Sequence, residues 1–178
     1  MPIVVAALLA AVPAASSLPY RPCPAPLKQR LETLYRWQVS RQNAPGPTDL
    51  TPVAGLLSPS LHTMLESAYE LTPSRDGRFV DFDVFSGTQV STFGASVDGC
   101  RALSETSMQA RVSVRVGLRG RASDTPQVLL FRMQTSPMPK SLVPKGTWLI
   151  DDITYPGQPT FQLRGFLTQL LRPSSGTR

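Results

Sequence analysis

The residues able to do chemistry are few, and most are carboxylates. Asp81 and Asp83 lie in the run Asp81-Phe82-Asp83-Val84-Phe85-Ser86-Gly87-Thr88-Gln89. On an extended segment they share one side, with Phe82 and Val84 opposite. Two carboxylates on one face can hold a hard cation or divide acid and base work, and Gln89 and Asp98 offer further oxygens. Yet the dense D-x-D-x-D-G loop of calcium sites is missing. The plainer expectation is structural: aspartates that accept loop amides in an Asx turn, while Phe82 and Phe85 anchor the core. Asp151 and Asp152 are adjacent, so in a regular strand they point to opposite faces. One of them then faces the core side, or the strand carries a bulge there. An inward Asp at the mouth of a fold is desolvated and its pKa rises, which makes a general base. A strand end with both carboxylates wet, or one of them paired with a strand arginine, avoids the cost of an unpaired buried charge and is the favoured reading.

Arg111, Arg115 and Arg119 recur every fourth residue, roughly 13 Å apart on one face of a strand, and Arg121 extends the line. Such a row is usually a solvated sheet face, but charges of one sign also suit an acidic protein or polyanion. Nucleic acid is not expected as a partner, because no aromatic residues interleave with the arginines as stacking platforms. His62 is the only histidine and sits near a helix start, where a capping or surface role is expected. No Gly-rich phosphate loop, G-x-S-x-G elbow or Walker lysine is present. One histidine and two cysteines are too few for most zinc sites, so no metal or cofactor is expected. Tyr35, Trp37, Phe82, Phe85 and Trp148 read as core, or as the wall of an apolar pocket.

Helices come first along the chain. After an extended arm over 18–26, Leu27, Leu31, Leu34, Tyr35 and Val39 mark an amphipathic helix over 27–42, with Pro26 suited to its first position. Thr51-Pro52 opens a helical turn through Leu57, and Ser58-Pro59 opens another helix. Thr72 to Gly77 reads as a loop. The period then falls to two. Met108, Ala110, Val112, Val114, Val116 and Leu118 alternate with polar or small residues, which predicts a strand with one buried face. Further strands are predicted over 128–133 and 147–155. Their connections are too short for crossover helices, so pairing is antiparallel. Thr160 is the expected N-cap of a last helix striped by Leu163, Phe166, Leu167, Leu170 and Leu171. The fold class is α+β in a single domain over 27–171, with the long helix across a curved sheet and a frayed tail over 172–178.

Composition agrees. The 178 residues carry a net charge of +6, 41% hydrophobic residues and 18 prolines, too many prolines for a helical bundle. Ile3 to Ala15 carry no charge and are too short to cross a bilayer. With Ala15 and Ser17 at the −3 and −1 positions, residues 1–17 read as a signal peptide for a periplasmic or secreted protein. Cys23 and Cys100 then suggest one disulfide, closing a loop of roughly 78 residues.

The 81–89 run follows Leu57-Ser58-Pro59-Ser60-Leu61 and precedes Gly146-Thr147-Trp148-Leu149-Ile150-Asp151-Asp152-Ile153. In this order the chain resembles an uncharacterised domain family of exported bacterial proteins, with a D-F-D-x-F-x-G-x-Q-like segment and a late G-x-W-x-I-D-D-I-like strand. That family is similar to the nuclear-transport-factor-2-like superfamily. The resemblance implies a cystatin-like roll of helix on curved sheet and a pocket, but no particular reaction. The expected function is binding of a small ligand or protein partner, without catalysis, through the cavity or the basic face, with a homodimer possible. The alternatives are an envelope immunity-type protein, and a lyase, isomerase or hydrolase with Asp83, Asp151 or Asp152 as base.

Overall fold

The computed structural model of the chain describes residues 19–43, 48–118, 120–136 and 146–173. The expected leader over 1–17, Arg119 and the end of the tail lie outside the described residues. No helix among the described residues is long and apolar enough to cross a membrane.

A six-stranded antiparallel sheet forms one layer. It contains β1 (Ser91–Ser104), β2 (Ser107–Leu118), β3 (Arg121–Ala122), β4 (Gln127–Thr135), β5 (Trp148–Tyr155) and β6 (Phe161–Gln162). The order is β1-β2-β4-β5-β6, with β3 paired to the end of β2. β2 lies where the two-residue period predicts it. Ala110, Val112, Val114 and Val116 are buried, while Arg111 and Arg115 face solvent. The expected face ends one residue pair early, since Leu118 is 65% exposed. Beside it, Gly117 admits Arg121 so closely that a Cβ would stand 2.0 Å from the Arg121 carbonyl oxygen.

The helices cover one face of this sheet. α1 (Ala25–Arg41) has a proline in its first turn and buries Leu27, Leu31, Leu34, Tyr35 and Gln38. It packs against β1 and β5, on opposite sides of the sheet, and the Tyr35 ring meets Phe131 of β4 edge-on at 6.1 Å. A 3₁₀ turn at Thr51–Leu56 leads to α2 (Pro59–Tyr69), whose N-cap Ser58 accepts the Leu61 amide at 3.3 Å. The Thr72–Gly77 segment, read as a loop, holds one turn of helix, α3 (Pro73–Asp76). Its entry is tied where Asp76 accepts the Thr72 amide, and Gly77 ends it in the left-handed region. α4 (Leu163–Leu170) is the last helix among the described residues. Thr160 is not its cap: the Thr160 hydroxyl donates to the Gly157 carbonyl, and the helix begins three residues later.

β1 was not legible in the sequence. Register shifts after Thr92, Val97 and Ala102 break its alternation, so its side chains never show a clean period of two. It is the sheet's outer strand. The N-terminal arm covers part of its edge, with the Arg21 and Cys100 backbones exchanging two hydrogen bonds of 2.8 and 2.7 Å. The Cys23–Cys100 disulfide fixes that contact across 77 residues of sequence. The link restricts the unfolded chain, so Cys23→Ser with Cys100→Ser is expected to lose about 4 kcal/mol in urea unfolding. A loss below about 1 kcal/mol would mean that the arm adds little to the fold.

Candidate functional site

The 81–89 run is a tight plug rather than an extended strand. Asp83 and Thr88 bridge its ends, and Val84, Phe85 and Ser86 have no exposed surface. Two buried phenols fasten it. Tyr35 donates to the Phe85 carbonyl at 2.8 Å, and Tyr155 donates to the Val84 carbonyl at 2.7 Å. The turn needs Gly87, whose φ of +70° is left-handed and whose Cα lies close against the Tyr155 ring.

Asp83 occupies the centre of this turn. Its Oδ1 accepts the Phe85 and Ser86 amides at 2.9 and 3.0 Å, an Asx turn. Its Oδ2 accepts from the Gln38 amide and, at 2.8 Å, from Arg41. Arg41 in turn lies over the Trp37 ring, 4.5 Å from its centroid, and that ring meets Phe85 edge-on. Asp83 therefore joins the last turns of α1 to the plug. Phe82 goes to the far side, among Tyr155, Phe161 and Phe166.

Asp151 and Asp152 sit at a bulge. Arg132 pairs with Asp152 and Met133 with Ile150, which leaves Asp151 as the extra residue. Asp151 Oδ1 accepts from Ser58 at 2.9 Å, Gln134 at 3.1 Å and the Arg164 guanidinium at 2.5 Å. Buried Asp152 accepts the Arg164 backbone amide at 3.0 Å. It supplies from β5 the N-terminal cap that α4's own Gln162 does not provide. Arg164, which the sequence did not single out and which lies on a helix rather than a strand, reaches Ser58, Ser60 and both aspartates.

Arg111 and Arg115 lie on the outer sheet face, as expected. Asp98, expected to add an oxygen near Asp81 and Asp83, instead lies beside this row. It stands 3.7 Å from Arg111 and accepts from Ser96 and Ser113, which dilutes the single-sign charge. Arg115 donates to the Phe93 carbonyl. His62 is half-buried, its Nδ1 3.2 Å from Glu66 and its Nε2 without a partner.

Asp81, Asp83 and Gln89 do converge, on the rim and wall of a cleft of about 710 Å³. Its remaining wall includes Arg41, Gln42, Tyr69, Phe79, Phe82 and Thr92. Asp81 and Gln89 are exposed. Thr92, in contrast, is only 1% exposed, and its hydroxyl makes no hydrogen bond. The Thr92 amide donates to Gln42 Oε1 at 2.8 Å, so the backbone beneath that hydroxyl is held in place. The Tyr69 phenol is likewise unpaired among the described residues. Burial first, then the Asp83 charge, push its pKa far up, so it stays a neutral donor and acceptor. Sequence reading missed Tyr69 and Thr92: neither residue type in a helix end or an irregular strand carries a signal of its own. No group of three or more metal-binding side chains occurs among the described residues. Comparison of the chain with family models, curated proteins and solved structures gives no match.

Two outcomes follow from this geometry. Asp83→Ala is expected to cost about 3 kcal/mol in urea unfolding, because it strips two amides, Gln38 and Arg41 of their acceptor at once. Asp81→Ala should stay within about 0.5 kcal/mol, and equal losses would reject the plug assignment. The second outcome concerns alkali. Burial raises the pKa of Tyr35, Tyr69 and Tyr155 above the ordinary 10.0. Above that pH the unfolded chain binds fewer protons than the native one, so stability falls as pH rises. Phenolate absorbance of the native protein should therefore show these three tyrosines ionising only as it unfolds.

Proposed function

We propose that the protein is an exported, non-catalytic binding domain that holds a small polar ligand in the cleft between the end of α1 and residues 79–92. One observation carries the reading: the Thr92 hydroxyl is buried in the wall of this cleft and has no partner among the described residues. Leaving such a group unpaired costs about 1–3 kcal/mol, a cost that a polar ligand removes. The cleft volume lies within the range of small-molecule sites. Tyr69, Gln42 and Gln89 add neutral donors and acceptors, and Phe79 offers an exposed ring at the rim. The one cation among the described lining residues, Arg41, already serves Asp83, Gln38 and Thr48, so the wall favours a neutral ligand over an anion.

Several features support the rest of the reading. A disulfide persists best in an oxidising compartment, in keeping with the leader-like segment over 1–17. A long helix laid across an antiparallel sheet suits a roll of the nuclear-transport-factor-2-like kind. The carboxylates best placed as bases, Asp83, Asp151 and Asp152, are each occupied in holding the fold together. The cleft is preferred over the sheet face because Asp98 sits among the arginines there.

Thr92→Val tests this reading. Losing an unpaired buried hydroxyl should raise the stability of the ligand-free protein by about 1 kcal/mol. Native mass spectrometry of the exported, unreduced chain should show a co-purifying small mass that the variant has lost. An empty wild-type protein, or a variant that keeps the same mass, would sink the proposal.

A further inference from the structure

A second cleft, separate from the first, has the opposite character. It measures about 470 Å³ and is lined by Pro26, Gln29, Arg30, Thr33 and Leu56 with Gly146, Thr147 and Trp148. Its floor belongs to the first half of α1, and its far wall is the start of β5. Among the described residues that line it, Arg30 carries the one charge. Arg30 is half-buried, and one of its terminal nitrogens, Nη2, donates to the Gly55 carbonyl in the 3₁₀ turn. Its Nε is buried without a partner, and Nη1 makes no hydrogen bond among the described residues.

Among the described residues, no carboxylate neutralises this guanidinium. None lines the cleft, and Arg30 forms no ion pair among the described residues. The nearest acid along the same helix, Glu32, pairs with Lys28 at 3.7 Å. The nine residues between Ser136 and Gly146 include two lysines and no Asp or Glu, so they have no counter-ion to offer. Burial alone already disfavours the charge and lowers the Arg30 pKa. A partly desolvated cation without an anion is costly, and a guanidinium meets that need best with a planar oxyanion bound through two nitrogens.

We infer that this cleft binds a carboxylate whose apolar body lies against Trp148. Nη1 and the second hydrogen of Nη2 form the fork that takes the two oxygens. Pro26, Leu56 and the Trp148 indole form the apolar wall, while Gln29, Thr33 and Thr147 supply hydroxyl and amide contacts at the mouth. A single cation fits a monoanion, which favours a carboxylate over a phosphate dianion. The carboxylate can come from a free organic acid or from the C-terminus of a peptide. The inference is independent of the polar cleft, since the two share no lining residue.

The chain has two tryptophans, which makes the test internally controlled. Phenylacetate, titrated into the ¹⁵N-labelled full chain, should shift the Trp148 indole resonance and leave that of Trp37 in place. Phenylacetamide has the same shape without the charge and should bind at least tenfold more weakly. Arg30→Gln should lose phenylacetate at least tenfold, and Arg30→Lys should recover only part of the affinity. The comparison of acid with amide uses the unaltered protein, so it stands even if the Arg30 variants unfold. An acetylated tripeptide ending in phenylalanine, against its C-terminal amide, separates the two sources. Stronger binding of the peptide acid than of phenylacetate assigns the cleft to chain ends, and the reverse assigns it to small acids. Equal binding of phenylacetate and phenylacetamide, or no Trp148 shift with any acid, would overturn the inference.

Discussion

Two adjacent carboxylates in the middle of a buried strand are the constraint around which this molecule is arranged. β5 buries Leu149, Ile150, Ile153 and Tyr155, yet it carries Asp151 and Asp152 between them. A regular strand would send one of the two charges into the core. The extra residue at the bulge lets Ile150 and Ile153 both pair inward, opposite Met133 and Phe131, while both carboxylates find donors. Arg164 then takes up both of them, one through its guanidinium and the other through its backbone amide. Because the same guanidinium reaches Ser58 and Ser60, the start of α2, the bulge of β5 and the start of α4 meet at one residue. Breaking such a half-buried pair leaves a carboxylate uncompensated, which is why the cost of its loss exceeds the value of the pair itself.

The outer edge of β5 is closed by the same arrangement. Leu57 bridges Ile150, Arg164 donates to the Asp151 carbonyl, and β6 pairs with Thr154 and Tyr155. A strand so covered offers no free ladder to another chain. At the opposite edge the arm performs a smaller version of this task on β1. The two clefts lie between these closed edges, one at each end of α1, and they differ in charge because the helix turns Arg41 toward Asp83 and leaves Arg30 alone.

How much of this could be read from the sequence depended on period. Six alternations from Met108 were enough to place β2, and the 3.6-residue stripe from Leu27 was enough to place α1. The Asx turn at Asp83 followed from a local rule about short polar side chains, while the adjacent charges left the bulge at Asp151 as one of two alternatives. β1 was hidden because three register shifts erase its period, and Gly94 and Gly99 remove the side chains that would mark a face. Arg164, Tyr69, Thr92 and Arg30 were hidden for another reason. Each acts through partners dozens of residues away, or through having none, and neither condition leaves a trace in local spacing.

The disulfide has a consequence for how the chain matures. With two cysteines, this chain has a single possible intramolecular connectivity. No scrambled isomer exists to be corrected, so maturation calls for an oxidant but not for an isomerase. The one competing product is a mixed or intermolecular disulfide, formed while Cys23 waits for Cys100. Its yield depends on thiol concentration and on how soon β1 is in place, and not on any search among pairings.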